Sequence, residues 1–104
     1  MLAQYVSTHD RAWPQGDGNA EWESVETSGF SGKALTTAQI DAVTRICQWG
    51  IREHGWPLKL ADSPQDVGLG THIMGGASWG GHSCPGPTRS NQRRTILARI
   101  RELA

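Results

Sequence analysis

The stretch from Leu35 to Gly55 constrains the fold of this chain more than any other. Thr36 is a hydroxyl N-cap, and Gln39 stands three residues on, where a capping box needs its amide. Leu35 and Ile40 occupy the two positions of a hydrophobic staple. Ile40, Val43, Cys47, Gly50 or Ile51, and His54 then recur at helical spacing, and Gly55 is a natural stop. These signals predict a helix over 37–54 with one buried stripe. His54, at the end of that stripe, reads as packing or C-terminal capping and carries no chemistry.

A helix with one apolar stripe needs a second layer to cover it. Two segments alternate apolar and polar residues as strands do, Leu2–Ser7 (LAQYVS) and Trp22–Glu26 (WESVE), and Trp56–Leu60 extends briefly. In the second of these, Val25 can face the core and Glu26 a cleft, although on the pattern alone such a glutamate is more often a solvated strand residue. Ala61–Ser83 is loop-like. After the prolines at 85 and 87 comes a second helix over about 89–103, capped by Thr88 or Ser90. Its apolar face is Ile96, Leu97, Ile100 and Leu103; Arg93, Arg94, Arg99 and Arg101 read as a solvated face. The expected fold class is α/β, a single domain over 1–104 with a small mixed β-sheet flanked by the two main helices.

At 104 residues the chain is near the lower end of what folds without a metal or disulfide. Ten basic and ten acidic residues cancel, which argues against a nucleic-acid partner. No apolar run approaches a membrane span and no signal peptide is expected. Cys47 sits in the helical pattern and Cys84 in a Cys-Pro-Gly loop, so a disulfide between them is not expected. Five tryptophans suit both a small core and a sugar-binding cleft, and composition does not divide them between those uses.

The chemistry concentrates in Gly68–Gly86, GLGTHIMGGASWGGHSCPG. It holds His72, His82 and Cys84, and imidazole and thiolate are ligands that zinc prefers. Pro85 stiffens one side of Cys84, and the glycines let backbone approach a metal or substrate closely. The His-x9-His-x-Cys spacing is not one of the structural zinc patterns. On spacing alone, a Gly-rich loop with two surface histidines and a free thiol is an equal reading. Trp79, between the candidate ligands, could line a cleft or serve the core.

This segment resembles the C-terminal motif of the zinc-dependent N-acetylmuramoyl-L-alanine amidases, the amidase-2 and peptidoglycan-recognition superfamily. Actinobacterial and actinophage members look most similar. The family motif runs His, a variable loop, then Lys or His, one residue, Cys or Asp, Pro-Gly; here it is His72, His82, Ser83, Cys84, Pro85 and Gly86. Upstream, Ala12-Trp13, Gly16 and Asn19 look like the family's Ala-Trp-His-Ala-Gly…Asn segment, with Pro14 where a His is common. Val25-Glu26 through Gly29 looks like its Ile-Glu-x-x-Gly strand, and Leu35-Thr36 through Gln39 like its Leu-Thr-x-x-Gln helix start.

The resemblance implies hydrolysis of the amide between N-acetylmuramic acid and L-alanine in peptidoglycan, with Zn2+ held by His72 and Cys84. It further implies Glu26 as acid/base carboxylate, His82 beside the oxyanion, and Trp13, Asn19 and Trp79 at the substrate. The family's first zinc histidine lies on an earlier strand. His9 does not match it, and the chain is expected to lack that strand. A third ligand from His9, His82 or a second chain, with self-association through the exposed sheet edge, is one resolution. A catalytically silent module that binds peptidoglycan or a partner is another, and an inert fragment a third. An endolysin would act from the host cytoplasm on the wall; otherwise the chain is cytoplasmic or wall-associated.

Overall fold

The computed structural model describes residues 22–29, 32–81 and 83–103. The expected strand at Leu2–Ser7 lies outside them. Two helices dominate: α1, Thr37–His54, and α2, Pro87–Leu103. Between them the chain forms a short 3-10 segment, His72–Trp79.

Helix α1 is the element read from its caps. Gln39 N–H donates to Thr36 Oγ1 at 3.1 Å and Thr36 N–H to Gln39 Oε1 at 2.9 Å, closing the capping box. Gly55, in the left-handed region, ends the helix and donates to Ile51 O at 3.0 Å. Helix α2 begins two residues earlier than expected, at Pro87, which suits a first helical position where no N–H is needed. Neither Thr88 nor Ser90 caps it, since both lie inside the helix.

The α1 stripe packs on α2 through Ile40, Val43, Ile96, Leu97 and Ile100, with Leu35, Cys47, Ile51, Leu58, Leu60 and Leu69 around them. Leu103, expected on the apolar face, is two-thirds exposed. At the far end of α1, Trp56 lies flat over Gly50, where any Cβ would collide with the indole. Trp49 and His54 meet Trp56 there, His54 stacked on it and Trp49 edge-on. Both cysteines are free thiols.

The expected mixed sheet is not found. The described residues contain one isolated parallel bridge, Leu60 to Leu69, and no strand longer than that. An extended segment becomes a strand only when a neighbour takes its N–H and C=O groups. Residues 22–27 have no such neighbour among the described residues, and Val25 and Glu26 are both exposed rather than on opposite faces. The sheet edge on which self-association was expected is therefore also missing among the described residues.

Side chains of α2 take up the carbonyls that a sheet would pair. Ala61 is fully buried, and its carbonyl accepts from Arg93 Nη1 at 2.8 Å; Leu69 O accepts from the same atom at 2.9 Å. Arg93 also pairs with Asp62 at 2.8 Å. Four residues earlier on the same face, Arg89 donates to Lys33 O at 2.8 Å, Ser28 O at 3.0 Å and Thr27 Oγ1 at 2.9 Å. Between them, the Gln92 amide bonds both backbone groups of Leu35. The expectation of a solvated arginine face is thus corrected in part. Arg93 is largely covered, and Arg99 pairs with Asp41 on α1.

Candidate functional site

The candidate donors meet through backbone. Ile73 N–H donates to Cys84 O at 2.9 Å, so the residue after His72 is bonded to the cysteine eleven positions further along. The intervening chain turns back on itself by glycine. Gly76 breaks the 3-10 segment at φ 53°, ψ −141°, a region that only glycine occupies at little cost. Gly81 N–H then returns to Gly76 O at 2.9 Å, and Gly80 N–H to Ala77 O at 3.1 Å.

His72 is half-buried with its Nε2 enclosed, whereas Cys84 is exposed. The Cys84–Pro85 peptide is cis. An imidazole and a thiol on adjoining backbone, one enclosed and one open to solvent, suit a soft divalent metal with an accessible side. That donor chemistry fits zinc, but it is two ligands rather than three. Among the described residues no group of three His, Cys, Asp or Glu side chains converges. His82 and His9 lie outside the described residues, as do Trp13 and Asn19.

Trp79 is a core residue: it is 3% exposed, packed on Gly75 and edge-on to Trp22 with ring centres 5.7 Å apart. Its burial leaves no ring face for a substrate, so the cleft reading is set aside for the core reading. Trp22 itself reaches across to Gly70 and thereby joins the start of the Glu26 segment to the residues just before His72. Glu26 is exposed, four residues beyond this anchor. Past Glu26, Arg89 holds Thr27 and Ser28, and Gln39 Nε2 adds a bond to Ser28 O at 2.9 Å. The carboxylate therefore sits between two fastened points.

Arg89, only 7% exposed, was not among the residues read from sequence. A signal for it exists. Counting back from Ile100 and Ile96 at helical spacing reaches Arg93 and then Arg89, so the apolar stripe of α2 continues as an arginine stripe. A separate shallow groove of about 350 Å³, lined by Lys59, Leu60, Arg94, Leu97 and Arg101, contains none of the candidate site residues.

Comparison with known proteins adds one match. Residues 1–87 fit the family model described as N-acetylmuramoyl-L-alanine amidase, which supports a peptidoglycan-amidase-like function. No curated protein and no solved structure matches the chain. No helix among the described residues is long and apolar enough to cross a membrane.

Proposed function

The chain belongs to the N-acetylmuramoyl-L-alanine amidase family, and on that premise we propose that it is a zinc-dependent, endolysin-type hydrolase of bacterial cell wall. Its reaction is cleavage of the amide between the lactyl group of N-acetylmuramic acid and L-alanine. The observation that carries the reading is the Ile73–Cys84 backbone bond, which puts His72 and Cys84 on adjoining chain. Those two residues would hold the metal. Bound there, zinc supplies Lewis acidity towards water and the scissile carbonyl.

The remaining work falls to the chain's own groups. Glu26, open to solvent, takes a proton from the attacking water at a carboxylate oxygen and returns it to the departing amine. The water oxygen bonds to the carbonyl carbon, the C–N bond breaks, and L-alanine leaves as a neutral amine. His82 donates to the carbonyl oxygen as negative charge develops, a contribution of roughly 3 kcal/mol for one well-placed donor. Trp13 and Asn19 belong to the substrate side by their place in the family motif.

The test measures zinc per chain and release of L-Ala-peptide from muropeptides, for the parent and for Cys84→Ser and Glu26→Gln. Stoichiometric zinc lost on Cys84→Ser, and turnover lost on both substitutions, is the expected result. A second reading is a silent wall-binding module derived from such an amidase. Retained wall binding without turnover in the parent would select it. A parent that binds neither zinc nor wall would sink both.

A further inference from the structure

Glu26 and His72 sit on different segments, and no β-ladder joins those segments among the described residues. Their separation must be set some other way. Arg89 is bonded to Thr27, Ser28 and Lys33, the chain that follows Glu26. Arg93 is bonded to Ala61 and Leu69, the chain that leads into His72 three residues later. The two arginines are one helical turn apart on the same face of α2. Each guanidinium is a rigid planar fork, and each fork spans more than one acceptor. Gly29, at φ 109°, lets the chain pass against Arg89; a Cβ there would meet Nη2.

Resting on the reading of Glu26 and His72 given above, we infer that Arg89 and Arg93 are positioning residues that fix the acid-bearing segment relative to the donor-bearing segment. Neither touches the reacting atoms. The family match ends at Pro87, the first residue of the helix that supplies both forks.

The inference makes two local predictions and one joint one. Lysine keeps the charge of arginine but loses the fork, so Arg89→Lys and Arg93→Lys are the informative variants. In Arg89→Lys, a Glu-specific protease should cleave after Glu26 about tenfold faster, with exchange of the Ala61 and Leu69 amides unchanged. In Arg93→Lys, those two amides should exchange about tenfold faster, with cleavage at Glu26 unchanged. Both variants should lower kcat by roughly tenfold at little change in KM. Gly29→Ala crowds the Arg89 fork without removing it from the interior and should reproduce the Arg89→Lys pattern. This variant keeps the test open if the Arg89→Lys chain misfolds.

Two results would overturn the inference: both segments loosening alike in each variant, or local loosening with kcat at the parental value. A Glu26→Gln chain as active as the parent would also overturn it, and would locate the failure in the role of Glu26 rather than in the clamp. The exchange and proteolysis readouts are independent of turnover.

Discussion

Cys47 and Cys84 show how the same side chain takes different chemistry from its surroundings. Cys47 packs against the core, and burial pushes its thiol from an ordinary value of 9.0 up to about 11. Cys84 is exposed in the loop beside His72. With its titration moved so far up, Cys47 holds only about one thiolate in a thousand at pH 8. Iodoacetamide at that pH should therefore label Cys84 first in the metal-free chain and leave Cys47 unmodified, and zinc should protect Cys84; mass spectrometry reads both. The stability consequence has a definite sign. The folded state resists ionisation that the unfolded chain undergoes, so the contribution of Cys47 is intact below pH 9.0 and is lost as pH rises towards about 11. Cys47→Ala should flatten that alkaline fall in thermal melts.

Thr44 is the opposite case, a buried hydroxyl whose Oγ1 has no hydrogen-bond partner among the described residues. Thr44→Val keeps the shape and removes the unsatisfied group, and should stabilise by about 1 kcal/mol. Chemical denaturation checks the direction; a loss of stability would mean that the hydroxyl is satisfied in solution.

At the scale of elements, α1 was legible because its signals are local. Thr36, Gln39 and Gly55 each act within one turn, so spacing alone reveals them. The sheet was misjudged because a strand is a relation between two segments, and alternation in one of them is silent about the other. WESVE shows this: Val25 and Glu26 are an apolar–polar pair, yet both face solvent. The motif named His72 and Cys84 as candidate donors, whereas Arg89 and Arg93 fall outside it and were passed over. Arginine on a helix is usually a solvated residue, and it is the carbonyls of Thr27, Ser28, Lys33, Ala61 and Leu69 that make these two structural. The contact between α1 and the chain after it yields a sharp expectation. Gly50→Ala would drive a methyl group into the Trp56 ring and should cost about 1–3 kcal/mol, readable as a lowered denaturation midpoint.

For the whole molecule, α2 carries more than its length suggests. It provides Ile96, Leu97 and Ile100 to the core and the arginine and glutamine bonds to three other segments. A chain ending at Gly86, which keeps almost all of the family-matched stretch, should lose cooperative unfolding and protected amides altogether. A chain of that length retaining a sharp thermal transition would show that α2 is dispensable. On the proposed reading, zinc would act on the same scale. Anything that binds only the folded state raises its stability, by about 2.7 kcal/mol at a hundredfold excess over Kd. The melting temperature should therefore climb with zinc in the parent and stay flat in Cys84→Ser.

The arginine bonds of α2 also bear on how uniquely this arrangement is specified. A β-ladder is built of repeating rungs, so a strand can shift by two residues and find nearly the same set of partners. Arg89 and Arg93 offer no such repeat. Each fork is matched to one particular cluster of carbonyls, and a chain shifted along either segment would leave a buried cation facing hydrocarbon. With one isolated bridge among the described residues to guide it, the chain keeps its alignment through forks that a shifted segment would leave poorly matched.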